Sequence, residues 1–182
     1  MLTTLDKAKT LGIDPSGEIP DNELTALLTI ASVAIEEVCR RNFKLQSYSE
    51  RVSGMRGSYL RLPNYPVHEV RIYEKADRPF EDVERLEHGI LFRHCGWPGG
   101  ERGLSVTYTA GYVLPEDATE ENPSTLPETL EYACVLMAKH LQREHGVSSE
   151  RVGDISVTYA AAEADMPMAV KSMINPHIRP EL

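Results

Sequence analysis

Apolar positions recur at two different periods along this chain. In residues 21–41, Leu24, Leu27, Leu28, Ala31, Ile35 and Val38 fall three and four apart, which predicts an amphipathic helix with one buried stripe. Asp21 suits its N-cap, Arg40 and Arg41 its last turn, and Asn42 its stop. A second stripe, Leu130, Ala133, Cys134, Met137 and Leu141, predicts another helix over about 126–145. Thr125 and Glu128 stand before it at capping-box spacing, and Gly146 suits the position just past its end. Shorter helices are expected over about 2–12 and 167–174, the latter broken by Asn175-Pro176.

From about residue 44 to 112 the period shifts toward two. Residues 59–62, 67–73, 90–93 and 104–112 are strand candidates; in the last, Leu104, Val106, Tyr108 and Ala110 alternate with Ser105, Thr107 and Thr109. Gly and Pro mark turns at 54–57, 63–64 and 96–100. A further strand is expected at Ile155, Val157 and Tyr159, entered through a Gly153-Asp154 turn. The fold class that follows is α+β, a helical core carrying an inserted antiparallel sheet. Leu24, Leu28, Ala31, Ile35, Leu130, Cys134, Met137 and Leu141 are its expected core. At 182 residues one domain is the default.

Composition narrows the function classes. The formal net charge of −9 argues against a general nucleic-acid-binding surface. Cys39, Cys95 and Cys134 are scattered and form no C-x-x-C pair, as in packed, reduced thiols. The opening residues lack the order of a secretion signal, and the longest uncharged apolar run, 24–35, is too short to span a bilayer. No membrane association is expected.

Charge is unevenly spread. Residues 40–75 hold eight bases against three acids, while residues 103–138 hold six acids and no base. Such polarity suits head-to-tail contact with copies of the chain or docking of an acidic partner, although alternating solvated strand residues give the same count. Catalytic constellations are scarce in the sequence. His88, His94 and Cys95 lack the further ligand that zinc needs, and His140 and His145 lie on different faces of a helix. G-x-S-x-G is absent, Cys134 lies on an apolar stripe, and the glycines of 96–103 lack a P-loop ending. The 116–121 carboxylates do not follow the EF-hand order. No enzyme activity and no cofactor are expected.

Several landmarks in order span nearly the whole chain: Leu-Thr-Thr-Leu-Asp-Lys-Ala-Lys (2–9), Cys-Arg-Arg-Asn-Phe (39–43) and Leu-Pro-Asn-Tyr-Pro-Val-His-Glu-Val (62–70). Leu-Ser-Val-Thr-Tyr-Thr-Ala-Gly-Tyr (104–112) with Pro115-Glu116, Val-Gly-Asp-Ile-Ser-Val-Thr-Tyr (152–159) and Ile-Asn-Pro-His-Ile-Arg (174–179) complete the series. This order resembles the head-to-tail connector (adaptor, head-completion) proteins of tailed bacteriophages. The chain departs from it in a longer acidic loop between Pro115 and Thr125 and in an elaborated 78–100 region.

The resemblance implies a structural virion protein at the head–tail interface. It implies a ring of roughly a dozen copies below the portal. Its partners would be the portal protein and a stopper or tail-completion protein, with double-stranded DNA passing through unread. The expected subunit or portal interface comprises Arg40, Arg41, Arg51, Arg56 and Arg61 on the basic side and Glu116, Asp117, Glu120 and Glu121 on the acidic side. It also takes in an extended, partner-ordered tail, 175–182, with Asn175, Pro176, His177, Ile178 and Arg179. A DNA-binding module using the basic 40–75 segment, marked by salt-dependent binding, is the alternative. A small enzyme, marked by a bound metal or cofactor, ranks below it.

Overall fold

A computed structural model describes residues 1–15, 17–74, 79–144, 149–152, 155–158 and 166–179. The chain divides into two compact units: Met1–Arg40 with Leu114–Leu182, and Arg41–Val113. The architecture is α+β.

The first unit is helical. Helix α1 (Leu5–Thr10) is capped by Thr4, whose Oγ1 accepts from the Lys7 N–H at 3.3 Å. Helix α2 (Asp21–Cys39) packs on α3 (Glu128–Glu144), and α3 on α4 (Met168–Ile174). A single turn of 3-10 helix, Pro115–Asp117, precedes α3. The facing stripes bury Leu24, Leu28, Ala31 and Ile35 with Leu130, Cys134 and Met137, while Leu141 is only half-buried. Cys39, not Val38, ends the inward stripe of α2, because Val38 falls about 100° from it around the axis.

Both ends of α2 differ from expectation. The N-cap is Pro20, with Asp21 already helical and its carboxylate near the positive end. Arg40 is the C-cap in the left-handed conformation (φ 54°), so neither arginine lies within the last turn. The first turn of α3 closes on the Pro127 carbonyl, which accepts from the Leu130 N–H at 2.9 Å.

Among its described residues the second unit carries six strands in two sheets. Strands β1 (Gln46–Gly54), β6 (Gly100–Ala110) and β3 (Val67–Glu74) form one in the order β1-β6-β3, both pairs antiparallel. Strands β2 (Tyr59–Arg61), β5 (Ile90–Phe92) and β4 (Glu84–Arg85) form the other in the order β2-β5-β4. Leu60, Leu62, Ile72, Leu91, Trp97, Leu104, Val106 and Tyr108 make one buried core. Gly111 (φ 114°) lets the chain pass Lys44, whose carbonyl oxygen would lie 2.5 Å from any added Cβ.

Strands β1 and β4 were not expected. In β1 the inward positions are Tyr48, Glu50 and Val52, so the period of two is present but the hydrophobicity is not. Strands β7 (Ser149–Val152) and β8 (Ile155–Thr158) pair antiparallel in the first unit. Gly153, Asp154, Tyr159, His145 and Gly146 lie outside the described residues.

Candidate functional site

The outward face of the β1-β6-β3 sheet is polar in every rung. Ser47, Thr109 and Glu69 form one, Ser49, Thr107 and Arg71 the next, and Arg51, Ser105 and Tyr73 the third. Ser47 Oγ and Thr109 Oγ1 lie 3.2 Å apart. Arg51 and Arg71 are exposed on this face, and Ser49, Glu50, Arg51, Arg102 and Ser105 line a shallow depression of about 540 Å³. Arg56 sits at the β1–β2 turn with φ 55°, exposed, and Arg61 is half-buried on β2. Lys75 lies outside the described residues.

Arg41 departs from the basic set. It is buried, its guanidinium lying 3.3 Å from the Tyr65 ring centroid and 4.8 Å from that of Phe43. One Nη donates to the Tyr65 carbonyl, whereas Nε and the other Nη have no acceptor among the described residues. Its guanidinium packs among aromatic rings rather than facing solvent. Arg40, one residue earlier, is exposed.

Arg93, which the sequence did not single out, organises the described part of the elaborated 78–100 region. Its Nε donates to both Asp82 oxygens at 2.8 and 3.0 Å, its Nη1 to the Gly96 carbonyl at 2.8 Å, and its plane lies 4.2 Å from the Phe80 ring centroid. The hydrogen bond from Arg93 holds the Asp82 carboxyl below its ordinary pKa. Only the finished loop brings residues 82, 93 and 96 together, so no spacing rule marks them.

Of the acidic candidates, Glu116 accepts from the Met1 amino group at 2.7 Å. Asp117, Glu120 and Glu121 are exposed. The N-terminal segment leads inward from that ion pair: Leu2 and Thr3 are buried, and the Leu2 N–H donates to Ser32 Oγ at 3.0 Å. Ser32 Oγ lies 3.4 Å from Cys134 Sγ, and burial pushes that thiol up to about 11. A high thiol pKa between two packed helices suits packing, not nucleophilic attack.

The tail was expected to be extended and free until a partner orders it. Instead Asn175–His177 forms a turn of 3-10 helix, which tolerates Pro176 because a first-turn residue needs no N–H partner. Ile178 then turns extended, and the Arg179 N–H donates to the Cys39 carbonyl at 3.0 Å. The last carbonyls of α2 have no partner within their own helix, and the tail supplies one. Asn175 and Pro176 are exposed, while His177, Ile178 and Arg179 are half-buried.

Among the described residues no group of three His, Cys, Asp or Glu could hold a metal ion, and no helix is long and apolar enough to cross a membrane. His88 stacks edge-on to Tyr65 at 5.7 Å, and His94 and Cys95 are exposed at a strand end.

The family model "Head completion protein" matches residues 2–179. The chain belongs to that family. This head completion protein is a structural component of the virion's head–tail connecting region. Its fold is similar to chains in the "Neck of empty GTA particle computed with C6 symmetry" (17% identity, TM-score 0.59) and the "Virion of native gene transfer agent (GTA) particle" (18%, 0.60). A chain of the "Neck of native GTA particle computed with C12 symmetry" is similar at 18% and 0.57. Each likeness covers 100% of this chain and 91% of the other. At these identities the likeness is one of fold. No curated protein matches the chain.

Proposed function

We propose that this head completion protein closes into a homo-oligomeric ring beneath the portal, joins the DNA-filled head to the tail and extends the DNA channel. The family match across 2–179 carries the reading, and the fold likeness to neck chains supports it. A ring of about twelve copies accords with the C12 symmetry named for one of those necks. The portal lies on one side of the ring and a stopper or tail-completion protein on the other. The polar rungs of the β1-β6-β3 face are the kind of surface that lets DNA slide, because two arginines among hydroxyls hold phosphates only weakly.

Exposed Arg40, Arg51 and Arg56, half-buried Arg61, the Glu116–Glu121 loop and the 175–182 tail are the contact candidates. The role requires no chemical step. Particles assembled without this chain should accumulate as DNA-filled, tailless heads. Normal tailed, infectious particles in its absence would contradict the proposal.

A further inference from the structure

Helix α2 has a second apolar line opposite its buried stripe. Glu23, Ala26, Ile30, Val33 and Glu37 follow one another at spacings of three and four, the geometry of a contact seam. All five are exposed, with Ile30 at 55% and Val33 at 49%. The seam is apolar for about 10 Å and closed at each end by a carboxylate. Helix α2 contains no lysine, arginine or histidine, so nothing on the helix offsets that charge.

The second unit carries a surface of opposite character. The outward positions of β2 and β5 are Tyr59 opposite Phe92 and Arg61 opposite Ile90. The Tyr59 and Phe92 rings lie 5.3 Å apart, and Tyr59 remains 64% exposed. Met55, 73% exposed, and exposed Arg56 lie in the turn just before β2, Arg61 lies on β2 itself, and exposed Glu84 of β4 pairs with Phe92 on the far side.

We propose that the Ala26–Ile30–Val33 seam of one copy docks on the Tyr59–Phe92–Ile90 face of the next, with Glu37 and Glu23 meeting Arg61 and Arg56. The inference rests on the ring reading and names the contact that closes the ring. Apolar surface meets apolar surface, acid meets base, and the two patches are unlike. A contact between unlike patches is heterologous and repeats around a ring. The acidic partner of the basic segment is then α2, not the 116–121 loop.

The test places Val33→Cys and Tyr59→Cys in a Cys95→Ser background and assembles particles on that chain under mild oxidation. The doubly substituted chain should give a ladder of covalent multimers, and an equimolar mixture of the two single variants should stop at dimers. Glu37→Arg should lose ring assembly, and Arg61→Glu in the same chain should restore it. Unchanged thermal melts of the variants separate assembly from folding. Necks that hold the chain at its normal copy number yet give no cross-link overturn this contact and leave the ring reading standing. Necks that lack the chain overturn both.

Discussion

Tyr108 donates its phenolic proton to Glu50 Oε1 at 2.7 Å, across the pairing of β6 with β1. Asn64 Nδ2 donates to the same phenol oxygen at 3.4 Å, so one buried hydroxyl ties two strands and a turn. Burial first, then the bond to Glu50, pushes the Tyr108 phenol above its ordinary pKa. A raised pKa means stability present below about pH 10 and lost as pH rises through the folded value. Tyr108→Phe should cost about 1–2 kcal/mol at neutral pH and flatten the alkaline decline in urea-melt stability. An equally steep decline in the variant would refute this.

Cys134 makes a second alkaline statement. Its thiol, pushed up to about 11 by burial, and the buried Cys39 should resist thiol reagents while exposed Cys95 reacts at once. In the isolated chain a disulfide reagent at pH 8 should label Cys95 quickly and the other two only after denaturant. Fast labelling of Cys134 in native protein would mean that α2 and α3 are not packed as described.

Arg41 separates packing from charge. Arg41→Ala empties the space beside Tyr65 and Phe43 and should cost about 2 kcal/mol. Arg41→Met fills much of that space and removes a buried cation with two unaccepted donors, so urea stability should stay within about 1 kcal/mol of the parent. An equal loss in Met and in Ala would show that the charge, not the volume, holds this cluster.

The tail has two duties to separate. Deleting residues 175–182 removes the Arg179–Cys39 bond and half-buried Ile178, and should lower chemical-denaturation stability by about 1–2 kcal/mol. The same deletion should prevent the chain from joining DNA-filled heads. Unchanged stability would show that the tail does not hold the end of α2. Infectious particles at normal yield would show that it is no docking element.

The helices and β6 were legible because burial there follows hydrophobicity. Leu24, Leu28 and Ile35 sit on a 3.6 period and Leu104, Val106 and Tyr108 on a period of two. Strand β1 was hidden because Glu50 points inward and earns its place through one hydrogen bond to a residue 58 positions away. A count of charges took Arg41 as displayed, because no count tells a cation stacked between rings from one in water. The tail misled for a related reason: Pro176 forbids a helix interior but not a first turn, and the acceptor for Arg179 lies 140 residues earlier in the chain. On α2, Ile30 and Val33 lie off the buried stripe and the sequence pattern does not single them out; the structure shows them exposed.

A density map of the neck of particles containing this chain decides whether the ring forms. A closed ring of about twelve copies should stand between the portal and the tail-side proteins, coaxial with the DNA channel. A single copy of the chain, or copies located away from the portal vertex, would contradict it.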